Sequence, residues 1–162
     1  MECSTGVVGF TAGVFDLFHV GHLNLLEASA ARCDRLRVGV ISDELALVLK
    51  RVRTFVPLEE RMRIVAALAC VDEVVPIREE HLLSKVEAYY EWGFDVAFTG
   101  DDHAGEPYWE QEGRVLEALG ARIEYLPYTH GTSSSQLRAT LMAVADEDLI
   151  PRESESKKER EA

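Results

Sequence analysis

Five short runs rich in Val, Ile, Phe or Tyr alternate along this chain with stretches of helical periodicity, and that alternation excludes most of the folds open to it. The predicted strands are Gly6–Thr11, Arg35–Ile41, Glu73–Ile77, Val96–Thr99 and Arg122–Leu126. Between them lie helical patterns at Gly21–Arg32, Leu58–Ala69, Leu82–Trp92, Tyr108–Leu119 and Ser134–Val144. Pro57 is placed to open the second helix and Gly120 to end the fourth. Strands that each return through a helix pair in parallel, so the expected fold is α/β: a mostly parallel, five-stranded sheet with helices on both faces. A chain of 162 residues fits one such domain, expected over residues 1–150. Residues 151–162, rich in Glu, Ser and Lys, read as a disordered polar tail.

Composition narrows the function classes. With 47% hydrophobic and 28% charged residues the chain has the profile of an ordinary soluble globular protein. A net charge of −12 argues against nucleic-acid binding through a broad basic surface. Lys50, Arg51, Arg53, Arg61 and Arg63 nevertheless gather in one stretch, which suits the steering of an anionic small molecule to one place. Cys3, Cys33 and Cys70 lack both disulfide-framework and metal-ligand spacing, and Cys70 sits in an apolar run expected in the core. No apolar stretch is long enough for membrane insertion and the N-terminus carries no secretion signal, so the expected location is cytoplasmic.

Ligands of parallel α/β sheets bind beyond the carboxyl ends of the strands. The conspicuous polar residues fall there: Asp16–His22 after the first strand, Gly100–His103 after the fourth, Thr129–Ser135 after the fifth. The first of these belongs to the decapeptide Gly13-Val14-Phe15-Asp16-Leu17-Phe18-His19-Val20-Gly21-His22. His19 and His22 share one face at a helix start, where unpaired N–H groups and a partial positive charge already favour anions. Gly21 would let a phosphate chain approach closely. A plain surface pair and a zinc site are the alternatives; zinc needs three or four ligands, and the neighbouring Gly and Asp residues favour phosphate over both.

The other segments each admit two readings. Ser133, Ser134 and Ser135 precede the last helix and can cap it, cradle a phosphate, or do both. Gly100-Asp101-Asp102-His103 can be a turn with capping aspartates, or can hold a divalent cation or a sugar hydroxyl. Lys50 and Arg61 are solvated helix charges or groups that neutralise a transferring phosphate. Tyr108 and Trp109 pack in the core or wall a substrate pocket.

Assembled, these residues resemble the cytidylyltransferase branch of the HxGH nucleotidyltransferases, most closely the glycerol-3-phosphate cytidylyltransferases, from about Val7 to Leu141. The signature Gly-Thr-Phe-Asp-x-x-His-x-Gly-His is matched by Gly13–His22. The family lysine looks like Lys50, the Glu-x-Arg segment like Glu59-Glu60-Arg61, and the Gly-Asp-Asp element like Gly100-Asp101-Asp102. The closing Arg-Thr-x-Gly-Ile-Ser-Thr-Thr signature aligns with Tyr128-Thr129-His130-Gly131-Thr132-Ser133-Ser134-Ser135.

The resemblance implies a Rossmann-like, doubly wound fold and an enzyme that joins a nucleoside triphosphate, CTP before ATP, to a small phosphorylated alcohol with release of pyrophosphate. It implies Mg²⁺ as cofactor and a homodimer. By carry-over, His19, His22, Lys50 and Arg61 are catalytic. Gly13, Val14, Phe15, Asp16, Gly21, Gly100, Asp101, Asp102, Tyr128, Thr129, Gly131, Thr132, Ser133 and Ser134 bind the nucleotide, with no metal ligand assigned. Val14 stands where the family has Thr, and Tyr128 where it usually has Arg, which removes a fixed positive charge that His130 could replace only when protonated. These departures leave open the acceptor and the choice of triphosphate: an ethanolamine-phosphate or sugar-phosphate cytidylyltransferase and a flavin-nucleotide type of adenylyltransferase remain, as does a non-catalytic nucleotide-binding domain. A tRNA synthetase is disfavoured, since one small domain leaves no room for tRNA recognition.

Overall fold

A computed structural model of the chain describes residues 6–79 and 84–146. The elements run β1 (Val8–Gly13), α1 (Val20–Ala30), β2 (Arg35–Ile41), α2 (Asp43–Lys50), α3 (Leu58–Ala66), β3 (Glu73–Ile77) and α4 (Lys85–Trp92). They continue through β4 (Val96–Gly100), a short 3₁₀ turn (Asp101–His103), α5 (Pro107–Ala118), β5 (Arg122–Leu126) and α6 (Ser134–Asp146). All five expected strands form, and each pairing is parallel, where the sequence promised only a mostly parallel sheet. Leu82 and Leu83 of the expected third helix, and the tail 151–162, lie outside the described residues.

Helix α2 was not foreseen. Its sequence, Asp43-Glu44-Leu45-Ala46-Leu47-Val48-Leu49-Lys50, has too continuous an apolar run to show a helical period. Its ends carry the signal instead. Ser42 accepts a hydrogen bond from the Leu45 N–H, acidic residues fill the first turn, and Lys50 occupies the last, all matching the helix dipole.

Alternation along the strands sends side chains to two cores. Leu36, Val38 and Val40 of β2 join Val96 and Phe98 of β4 on one face, packed against Leu26 of α1 and Leu58 and Val65 of α3. Phe10, Ile41, Ile77 and Ala97 face the other way, onto Leu45 of α2, Ala88 of α4 and Leu116 of α5. Phe10 stacks between Trp92 and Phe94, with ring centroids 5.6 Å and 5.2 Å away. The strand order β3-β2-β1-β4-β5 reverses at β1, so the crevice of this sheet opens between the carboxyl ends of β1 and β4. The three polar segments singled out from the sequence begin at the ends of β1, β4 and β5.

Candidate active site

The turn from β1 into α1 is tightly specified. Phe15 and Leu17 adopt φ of 53° and 50°, a left-handed conformation that costs about 1 kcal/mol or more for a residue with a Cβ. Burial of Phe15 in the core under α1 holds the turn in place. His19 is the N-cap of α1: its Nδ1 accepts the Gly21 N–H at 3.0 Å, while His22 Nδ1 accepts the His19 N–H at 3.4 Å. The pair is thus a capping box built from imidazoles, with the rings stacked at 3.9 Å. Because each Nδ1 is an acceptor, each neutral ring carries its proton on Nε2. Burial lowers the pKa of both rings; that of His22 falls to about 4, with the neighbouring His19 and Lys50 adding to the effect. At neutral pH the site therefore offers two uncharged Nε2–H donors.

Gly21 serves this arrangement in a way the sequence did not suggest. A Cβ there would lie 2.8 Å from His19 Cε1, so the glycine makes room for the capping ring itself. Gly100 has a similar task at the end of β4, where a Cβ would lie 2.3 Å from Asp102 Oδ1.

Asp16 lines the cleft but is only 2% exposed, and its carboxylate is fully engaged. It accepts the Phe55 and Val56 N–H groups, each at 2.9 Å, and the Arg138 guanidinium at 2.9 Å. Burial pushes its carboxyl up, but these donors outweigh burial and hold it below the usual range. Arg138 also donates to the Arg53 carbonyl and lies over the Phe55 ring at 5.0 Å. Arg138 was missed in the sequence, although its spacing from Ser134 places both on one face of α6. Ser134 donates its hydroxyl to the Asp16 carbonyl at 2.8 Å, and Ser133 exchanges hydrogen bonds with Gln136 that cap the helix.

Arg61 requires a correction. Its side chain has no exposed surface, and every arm of the guanidinium is engaged inside the protein. Nε donates to the Val56 carbonyl at 2.8 Å, Nη1 to the carbonyls of Val14 and Ile41, and Nη2 to Asp43 Oδ1 at 2.6 Å. Asp43 in turn accepts from Thr54 Oγ1 and the Leu58 N–H. Arg61 thus fastens the loop after α2 to the ends of β1 and β2, buried where it presents no exposed surface to a phosphate.

Lys50 ends α2 and is exposed; among the described residues no hydrogen bond or ion pair engages its ammonium. It borders a cleft of about 340 Å³ together with Gly13, Val14, Asp102, His103 and Arg138. A contiguous hollow of about 250 Å³ is lined by His19, Gly21, Thr129 and Ser133, and His22, Gly100, Tyr128, Ser134 and Ser135 border both. Asp101 is turned away to accept the Tyr128 N–H at 3.0 Å. Thr129 accepts from Asn24, and the Tyr128 ring, half exposed, meets His130 edge-on. Gly131 and Thr132 are exposed and line neither space.

Among the described residues no three His, Cys, Asp or Glu side chains stand close enough to hold a metal ion by themselves. No described helix is long and apolar enough to cross a membrane.

Residues 10–140 match the model of the cytidylyltransferase-like family. The chain is 37% identical over 131 residues to the bifunctional protein HldE of Citrifermentans bemidjiense, covering 80% of this chain and 26% of that protein. It is 38% identical over 138 residues to HldE of Streptomyces coelicolor, covering 83% and 28%. The chain therefore spans about a quarter of the length of these relatives. In architecture it is similar to a lipopolysaccharide core biosynthesis protein from Thermoplasma volcanium, with a TM-score of 0.64, 20% identity and coverage of 78% of this chain and 99% of that one. With strand order, histidine pair and closing serine segment all in one matched span, the chain belongs to the cytidylyltransferase-like family.

Proposed function

We propose that the cleft transfers a nucleotidyl group from a nucleoside triphosphate to a small phosphorylated alcohol. The observation that carries this reading is the histidine capping box, which leaves two neutral Nε2–H donors side by side at the start of α1. An oxygen of the acceptor phosphate attacks the α-phosphorus in line. The bond from that phosphorus to the bridging oxygen breaks, and pyrophosphate departs with the bonding electrons. The acceptor phosphate is already ionised at neutral pH, so the step needs no general base. His19 and His22 donate to the α-phosphate oxygens as charge builds there, and Lys50 neutralises part of it. The N-terminus of α6, with Ser135 and the partly exposed Arg138, receives the β,γ-phosphates.

Mg²⁺ fits such a site as a passenger on the triphosphate, since it commonly takes one or two carboxylates plus substrate phosphates. Asp102 lines the cleft and would hold it; the ion would neutralise charge on the leaving pyrophosphate. CTP is the first choice of donor and ATP the second; polyol, ethanolamine and sugar phosphates are the acceptors to compare. The test is pyrophosphate release from each donor with each acceptor. Turnover with one pair that His19→Asn abolishes is the expected result. Triphosphate binding without pyrophosphate release in any combination would show a nucleotide-binding domain instead.

A further inference from the structure

Helix α5 carries a glycine for which the rest of the described chain gives no reason. Gly113 lies in the middle of Pro107–Ala118, where glycine is destabilising relative to alanine. A Cβ at Gly113 would meet only Ile123 Cδ1, at 3.9 Å, an ordinary contact, so packing within the chain does not call for the missing side chain. Gly113 borders an open groove of about 320 Å³ walled by Trp109, Ile123 and Tyr125, with Arg114 on its α5 rim.

The groove runs along β5, one of the two edges of the sheet. The Arg122 N–H donates to the Asp95 carbonyl at 3.1 Å, on the β4 side. Successive residues of a strand turn their N–H and C=O groups to opposite sides, so those of Ile123 and Tyr125 face the open edge. Among the described residues nothing pairs with them. The opposite edge differs: β3 carries Pro76, a residue that blunts an edge by removing a donor. Strand β5, Arg-Ile-Glu-Tyr-Leu, has no proline.

The pattern of β5 is self-complementary. When it is set antiparallel to a second copy with Ile123 on a two-fold axis, the two Ile123 residues exchange N–H···O=C bonds. Arg122 then stands opposite the partner's Glu124, and Glu124 opposite the partner's Arg122, two attractive cross-strand pairs. Within one chain Arg122 meets Glu124 only loosely, at 3.8 Å. Moving the axis to Glu124 would set that carboxylate against itself and centre the pairing on groups already turned to β4. The axis through Ile123 also passes beside Gly113. Two copies of α5 therefore cross antiparallel on one face of the joined sheet, glycine to glycine, and the missing side chains allow the usual approach of about 8–10 Å. Arg114, beside the crossing, faces the partner's Glu110 and Glu117.

We infer that the β5 edge and the Gly113 groove form an isologous interface with a second copy of this chain, joining two sheets into one. The axis sends the carboxyl ends of the two sheets in opposite directions, so each cleft stays open. Neither the interface nor its test depends on which reaction the cleft performs.

Sedimentation equilibrium of the full chain reads the association. The unaltered protein should sediment as two copies and dissociate on dilution. Gly113→Gln puts a helix-favouring side chain into space that is open in the single chain, so it should keep the fold and weaken self-association by roughly tenfold or more. Glu124→Arg should weaken it by a similar factor, and Arg122→Glu combined with Glu124→Arg should restore it, because the cross-strand pairs are then exchanged. A single-copy weight at concentrations approaching the millimolar range overturns the inference and leaves the edge to some other partner. Two copies unaffected by Gly113→Gln and by Glu124→Arg overturn it as well, since the contact then lies elsewhere on the surface. Failure of the double exchange to restore association overturns the pairing of Arg122 with Glu124. Should a variant not fold, amide hydrogen exchange in the unaltered protein decides the matter: exchange at Ile123 should slow as protein concentration rises, and a constant rate overturns the proposal.

Discussion

The two ends of the cleft are built on opposite plans. At the histidine end nearly every polar group has a partner: His19 and His22 cap α1, Asp16 holds Arg138 and two backbone N–H groups, and Ser133 and Ser134 are tied to Gln136 and Asp16. At the other end Lys50 has none among the described residues, and His103, besides stacking on Trp109, meets only the exposed carboxylates of Asp102 and Glu106. Groups fixed before the substrate arrives lose little freedom in the transition state, which suits the end where the chemistry is the same for every substrate. Groups held loosely can adapt to the part of the substrate that varies.

The sharpest way to break this contrast is to remove one fixed donor without disturbing its scaffold. Asparagine is a good N-cap, so His19→Asn should keep α1 closed while deleting the Nε2–H. Activity should fall about 10²–10³-fold with little change in thermal stability. A large loss of stability with intact residual activity would show that capping is the histidine's whole task.

Arg61 provides the converse. Arg61→Met leaves Asp43 and the carbonyls of Val14, Ile41 and Val56 short of a donor. It should lower stability by about 3 kcal/mol in denaturant unfolding. An unaltered unfolding midpoint with weakened triphosphate binding would return Arg61 to the cleft.

A smaller effect is expected with pH. The folded pKa of His22 is about 4 against an ordinary 6.5, so between these values the unfolded chain binds a proton that the folded chain refuses. Stability of the unaltered protein, relative to His22→Asn, should be full above pH 6.5 and decline as pH falls toward 4. A flat difference over that window would mean that the ring is not desolvated.

The mildest change tests the flexible rim. Tyr128 is half exposed, so Tyr128→Arg should strengthen triphosphate binding by about 0.5–1 kcal/mol at low salt, less as salt rises. No gain at any ionic strength would place Tyr128 clear of the phosphates.

How far the sequence reveals this molecule depends on the range of the interactions concerned. Each strand lies close to where its β-branched run places it, because alternation is local. Helix α2 escaped because its apolar run hides the period, yet Ser42 with Asp43 and Glu44 announces a helix start. The histidine pair was legible since its partners lie within three residues. The two arginines were not. Arg61 lies close to Lys50 in sequence, while the structure turns it inward and brings Arg138 to Asp16 across 122 residues. No local pattern encodes such a contact.

That long-range contact also bears on how the molecule is made. Asp16 emerges from the ribosome well before Arg138 and Ser134, which lock its loop. A nascent chain can assemble its sheet strand by strand and still lack a finished cleft. The cleft is therefore completed abruptly, when α6 folds back across the first turn.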